Sequence, residues 1–136
     1  MSIKIYVDAN IYLDYFFDRR DGIRPLAEFA YNIFRRALEC EFEIIMSRLI
    51  VIELEVNALN YENFAKFFST YLKKGKISYY DISEEELNSL KAAKNSNDHI
   101  HALLAQKAGC EFLVTRNIPD FLRFSNLVPP RLPEEI

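Results

Sequence analysis

Acidic side chains stand at four separated places in this chain, each where an apolar run meets a turn or a helix. They are Asp8 closing IKIYVD, Glu53 inside SRLIVIELEV, Asp98 opening NDHIHALLAQKAG, and Asp120 in LVTRNIPDF. Carboxylates gathered in one cleft repel each other unless cations hold them, so the pattern points to a divalent-metal site. Hard oxygen ligands favour Mg²⁺ or Mn²⁺ over zinc.

Each position has an ordinary reading beside the chemical one. Asp8 ends a strand and precedes a helix, where Asp is a common cap. It also ends a run that reads as a fully buried strand, which aims its side chain into the mouth of a sheet. Asn10, two residues on, caps the same helix or hydrogen-bonds a metal-bound water or a phosphate. Glu53 has Leu49, Ile50 and Val56 three and four residues away, so its carboxylate is costly unless paired or metal-bound. Glu55 shares a face with Val51, Ile52, Ala58 and Leu59, and periodicity alone leaves both glutamates open. Asp98 sits in a first helical turn, where the backbone dipole stabilises a negative charge. Asn117 and Asp120 flank Pro119 as turn formers do. The functional reading rests on the joint appearance of all four acids.

Neighbouring polar residues are weighed in the same way. His99 and His101 suggest zinc, but two positions apart on a helix they point about 200° away from each other. His101, one turn from Asp98, reads first as an ordinary partly buried histidine and second as a hydrogen-bonding neighbour of the site. Ser47 reads as a helix cap first and a substrate contact second. No GxxxxGK[ST] loop, GxGxxG or GxSxG motif is present, and neither cysteine has a base beside it, which argues against nucleotide cradles and nucleophilic catalysis.

The elements that must position these residues alternate. Residues 3–7 read as a short buried strand and 11–17 as a helix. A second helix starts at Pro25, with the stripe Leu26, Phe29, Ala30, Ile33, Phe34, Ala37 and Leu38. Residues 42–46 read as a strand, and Ser47 caps a helix through Leu49, Ile52 and Val56. Asn60 caps another carrying Tyr61, Phe64, Phe67, Phe68 and Tyr71, which Gly75 stops. Residues 77–80 make a third strand. Ser83 and Glu86 form a capping box for a helix reaching about residue 94. Asn97 caps a helix over 98–108 that ends at Gly109; 112–115 is a fourth strand, and Val128 marks a short fifth. The tail, residues 129–136, is expected to pack loosely or not at all.

This alternation predicts an α/β fold, a three-layer α/β/α sandwich with a central, mainly parallel sheet of four to five strands, built as a single domain over 1–136. In such sheets ligands sit at the carboxyl ends of strands, where Asp8 and the TRNIPD segment both fall.

Composition bounds the remaining choices. With 136 residues, 50% of them apolar, the chain can fill one substantial core. A formal charge of −3 argues against a general nucleic-acid coat, although a bound cation reverses that field locally. Two cysteines in unrelated contexts point to a reducing, cytoplasmic home. No signal-peptide stretch or membrane span is evident, and a soluble protein is expected.

Taken together, the quoted segments resemble the PIN-domain ribonucleases, and especially the small VapC-type toxins of type II toxin–antitoxin systems. The resemblance covers nearly the whole chain. VDANIYLDYF is similar to the family's opening strand and helix with its first acid at Asp8. SRLIVIELEV is similar to the segment carrying the second acid, six residues beyond a Ser or Thr, which selects Glu53 by way of Ser47. NDHIHALLAQKAGCEFLVTRNIPDF is the most specific match: Asp98 takes the third place, and T-R-[DN]-x-x-D-F ends the segment. Asn117 stands where many members have aspartate, leaving the second metal position weaker or dependent on Asp120.

The resemblance implies an Mg²⁺- or Mn²⁺-dependent endoribonuclease. Asp8, Glu53, Asp98 and Asp120 would be the catalytic acids, with the metal on Asp8, Asp98 and Glu53 and substrate contacts from Asn10, Ser47, Arg116 and Asn117. It further implies a VapB-like antitoxin peptide in a hydrophobic groove, and a homodimer. Arg19, Arg20, Arg24, Lys73, Lys74 and Lys76 read as solvated charges, and Arg116 is preferred for RNA because it neighbours the cleft. Two alternatives stand beside this one: a non-catalytic RNA- or protein-binding module of the same fold, and a PIN nuclease of RNA processing rather than a toxin. A phosphoaspartyl receiver or haloacid-type phosphatase fits less well, since Asp8-Ala9-Asn10 lacks the required acid pairs.

Overall fold

A computed structural model describes residues 3–136. Met1 and Ser2, on which the expected lack of a leader partly rests, lie outside the described residues. The chain runs β1 Ile3–Val7, α1 Ala9–Phe16, α2 Leu26–Leu38, β2 Phe42–Met46, α3 Arg48–Val56, α4 Tyr61–Phe67, α5 Ser69–Lys73 and β3 Ile77–Tyr79. It continues through α6 Glu84–Ala92, α7 Asn97–Lys107, β4 Phe112–Val114, α8 Ile118–Phe121 and β5 Pro130–Arg131. Among the described residues no helix is long and apolar enough to cross a membrane.

The five strands form one parallel sheet in the order β3-β2-β1-β4-β5. This is the expected α/β sandwich. Ile5, Tyr6 and Val7 of the central strand are fully buried, as a strand covered by helices on both faces must be. Parallel crossovers are right-handed, so the helices between β1 and β3 cover one face and α6 and α7, on the return to β4, cover the other. The direction of winding reverses between β1 and β4. That crevice is where ligands of open α/β sheets bind.

Most expected boundaries hold to within a residue or two, and four differ. Ser96, not Asn97, caps α7, accepting the His99 N–H at 3.2 Å. The single aromatic helix expected from Asn60 is two, handing over at Phe68. The inward face survives the break because Phe64, Phe68 and Tyr71 keep i, i+4, i+7 spacing and are all buried. The fifth strand lies at Pro130–Arg131 rather than at Val128, which is instead a buried core residue.

The largest difference is the tail, which packs rather than hanging loose. Leu113 and Thr115 N–H groups bond to Pro129 and Arg131 carbonyls, Arg24 pairs with Glu134 at 2.6 Å, and Arg36 donates to the Ile136 carbonyl at 2.8 Å. Polar and proline-rich composition hid this, because the pairing uses backbone groups and charges rather than an apolar stripe.

An aromatic cluster welds α1, α2, α4 and α5 together. Phe68 lies 4.9–5.9 Å, centroid to centroid, from Phe64, Phe34, Phe67, Tyr71, Tyr12 and Tyr15. Replacing it with alanine removes the hub, and Phe68→Ala is expected to lower stability by about 3–5 kcal/mol in urea unfolding. Tyr12 sits in the same cluster with a buried hydroxyl that has no hydrogen-bond partner among the described residues. Tyr12→Phe is therefore expected to be neutral or stabilising by about 1 kcal/mol, since it deletes an unsatisfied group without changing the packing.

Candidate active site

The backbone turns from β1 into α1 at Asp8, whose N–H is tied to the Val114 carbonyl of β4 at 2.9 Å. Its carboxylate does not cap α1. It accepts the Thr115 hydroxyl at 3.0 Å, and Thr115 Oγ1 accepts the Asn117 N–H at 3.0 Å. Asp8 is only 7% exposed. Burial raises its pKa above the usual carboxylate range, and the charge of Glu53 pushes the same way against His101 and the Thr115 hydrogen bond.

Glu53 reaches the same region from α3. Ser47, fully buried, caps that helix by accepting the Ile50 N–H at 3.4 Å. Leu49 and Ile50 then face the core, and Glu53 follows on the buried side with its side chain 25% exposed. Both of its oxygens lie 3.0 Å from His101 Nε2. Glu55 faces solvent, so the structure separates the two glutamates that periodicity left open.

Asp98 lies half-buried in the first turn of α7. Burial raises its pKa, and Asp120 and Glu53 add to the rise while His101 and Arg123 oppose it. Asp8 and Asp98 thus both feel the charge of Glu53. Asp120 is exposed, in the first turn of α8. Among the described residues none of these four acids is ion-paired to lysine or arginine. Nor do any three His, Cys, Asp or Glu side chains stand close enough to hold one ion together.

The residues expected to touch substrate fall into two groups. Asn10 and Asn117 are half-buried beside Asp8 and Thr115. Ser47 faces inward, its hydroxyl shared between the Ile50 N–H and Tyr6, so capping is the role its position gives. Arg116 is engaged by Asp14: its Nε and Nη2 donate to the two Asp14 oxygens at 2.6 and 3.0 Å. His99 stacks on Phe124 with centroids 4.6 Å apart, far in role from any shared zinc site with His101.

Asp14, Tyr6 and Thr115 carry much of this geometry and escaped the sequence reading. Asp14 had a signal: it is a lone charge in the apolar run from Ile11 to Phe17, the same pattern that marked Glu53. It is 1% exposed, and burial raises its pKa against the hydrogen bonds and charge of Arg116. Tyr6 had none, since a tyrosine in a buried strand reads as core.

No protein-family model matches the chain, and no curated protein does. Among solved structures it is similar to a chain of VapBC2 from Rickettsia felis, crystallised bound to a promoter DNA fragment, with a TM-score of 0.59. The two are 18% identical over 96% of this chain and 98% of that one. The fold is PIN-like. At that identity the likeness speaks for the architecture alone. Within it, the PIN-like sheet brings Asp8, Thr115 and Asn117 to the switch point, with Glu53 and Asp98 on the adjoining helices.

Removing one partner of a buried ion pair leaves an uncompensated charge, whereas replacing both with apolar groups need not. Arg116→Met is therefore expected to cost about 3 kcal/mol in chemical denaturation, and adding Asp14→Leu to recover most of that loss.

Proposed function

We propose that the chain is a metal-dependent ribonuclease that hydrolyses RNA phosphodiester bonds and serves as the toxin of a VapBC-type pair. The observation that carries this reading is that Asp8 and Asp98 both feel the charge of Glu53, the three coming from separate elements at the carboxyl edge of the sheet, with no lysine or arginine ion-paired to them among the described residues. Structural ion pairs need a cation in the chain, and Asp14 has one. Among the described residues no lysine or arginine forms an ion pair with the three cleft acids.

The carboxylate oxygens suit a hard divalent cation in chemistry, although among the described residues no three of them stand close enough to hold one ion directly. Asp8, Glu53 and Asp98 would hold it, some directly and some through its waters, because Mg²⁺ keeps several waters and takes only one or two carboxylates. When bound there, Mg²⁺ or Mn²⁺ supplies an acidified water and offsets negative charge on the phosphate. The protein's part is to fix the acids: Thr115 holds Asp8, His101 holds Glu53, and the α7 N-terminus stabilises Asp98. Asn10 and Asn117 flank the cleft as neutral donors for phosphate oxygens. Asp120, exposed and coupled to Asp98, supports a second cation position in place of the aspartate that Asn117 replaces.

For the antitoxin, an exposed strip on α1, α4 and the turn after α1 supports a peptide partner with an apolar face. Phe16 and Phe67 line an open hollow of about 380 Å³ with Asn63 and Lys66, and Phe17 is exposed nearby. A second reading is a module of the same fold that binds RNA or protein without cleaving. It is favoured by one observation, the lack of three ready-grouped ligands among the described residues.

Incubation with structured RNA in Mg²⁺ or Mn²⁺ separates the two. Cleavage is expected, abolished by EDTA and reduced in Asp8→Asn and Asp98→Asn by more than the roughly 100-fold that loss of an outer-shell partner costs. Binding without cleavage would favour the module. Induced expression in a bacterial host is expected to arrest growth, with Asp8→Asn relieving the arrest; cleavage without arrest would favour a processing enzyme.

A further inference from the structure

Behind the acidic cleft, side chains from the central strand, the β2–α3 junction, α7 and α3 form one unbroken hydrogen-bonded chain. Ser47 Oγ lies 2.7 Å from the Tyr6 hydroxyl, and that hydroxyl lies 2.7 Å from His101 Nδ1. His101 Nε2 then meets both Glu53 oxygens at 3.0 Å. Ser47 and Tyr6 are fully buried and His101 is 1% exposed. The chain ends on the one acid whose charge both Asp8 and Asp98 feel.

Donor and acceptor bookkeeping fixes the direction. A carboxylate only accepts, so Nε2 must carry the proton that faces Glu53. In a ring carrying that single proton Nδ1 is an acceptor, and among the described residues the Tyr6 hydroxyl is placed to donate to it. Tyr6 in turn accepts from the Ser47 hydroxyl, whose oxygen already accepts the Ile50 N–H. Every member is satisfied when the bonds run Ser47 to Tyr6 to His101 to Glu53. The ring is enclosed and its Nε2 is spent on Glu53, so it has no free nitrogen to offer a substrate.

We propose that His101 and Tyr6 are positioning residues for the cleavage reaction: His101 holds the Glu53 carboxylate against repulsion from Asp8 and Asp98, and Tyr6 fixes the imidazole as its Nε2–H tautomer. This rests on the ribonuclease reading above. Without His101 the Glu53 side chain swings towards solvent, and the charge available to a cation in the cleft falls. A purely structural role for the chain would change stability and leave metal affinity alone.

The test uses the full-length protein and Mn²⁺ itself. Wild type, Tyr6→Phe, His101→Leu and His101→Gln are compared by thermal melting, by Mn²⁺ titration followed by electron paramagnetic resonance, and by single-turnover RNA cleavage. Because the chain has only two histidines, His99→Gln assigns the imidazole ¹⁵N signals of His101. The expected spectrum has the proton on Nε2. His101→Leu is expected to weaken Mn²⁺ binding and slow cleavage by about 10–100-fold, as loss of an outer-shell partner does. His101→Gln, whose amide N–H reaches the same carboxylate, restores most of both, and Tyr6→Phe falls between. An Nε2 without a proton in the wild-type spectrum overturns the proposal, as does a His101→Leu protein that binds Mn²⁺ and cleaves like wild type. If His101→Leu does not fold, the wild-type spectrum and Tyr6→Phe decide the matter. A wild type that neither binds Mn²⁺ nor cleaves RNA overturns the ribonuclease reading together with this one, whereas an active wild type with indifferent variants overturns this one alone.

Discussion

Bringing several carboxylates together at one sheet edge, largely out of water, is the constraint that organises the rest of this molecule. Two like charges 4 Å apart repel by about 4 kcal/mol at an effective dielectric of 20, and burial adds a desolvation cost to each. The raised pKa values of Asp8 and Asp98 are the signature of both effects. The compensation offered comes chiefly from hydroxyl, imidazole and backbone N–H donors, with Arg123 acting on Asp98 through its charge but not through an ion pair. Neutral donors orient a carboxylate and leave its charge unspent.

Asp14 provides the control within the same strand–helix unit. It lies six residues beyond Asp8 and is even more buried, yet Arg116 meets both of its oxygens and Arg19 approaches to 3.8 Å. Here the chain supplies the cation itself, and the pair clamps the segment after β4 to α1. The clamp has a consequence for the cleft, because Arg116 is flanked by Thr115 and Asn117, and Thr115 is what holds Asp8. One aspartate is thus paired with a cation of the chain and the other only with neutral donors, a distinction that burial alone does not draw.

Much of this was legible in the order of residues, because periodicity and caps report local structure. Ser47, Asn60 and Ser83 cap the helices expected of them, and the apolar runs find their places in the sheet. Asp8 and Asp98 were marked by ending a buried run and opening a helix. What stayed hidden depends on contacts between residues distant in sequence. Tyr6 and His101 are 95 positions apart, and Thr115 and Asp8 are 107 apart, so no local pattern announces either pair. The tail was misjudged for a related reason: its hold on β4 and α2 is made by backbone bonds and long-range charges, to which composition is blind.

The strand order explains when the cleft comes into being. Asp8 and Glu53 follow β1 and β2, which pair directly, but Asp98 and Thr115 arrive only when the chain crosses back to lay β4 against the free edge of β1. Closing that edge moves negative charge towards negative charge, so it must be driven by something other than the site. The driving force is the apolar pairing of Phe112, Leu113 and Val114 with Ile5, Tyr6 and Val7. On the far side, β5 pairs with β4, and Arg24 and Arg36 tie the C-terminal turn to α2 and the segment before it. The tail that reads as a loose end is therefore part of the brace that holds β4, and with it Thr115, against β1.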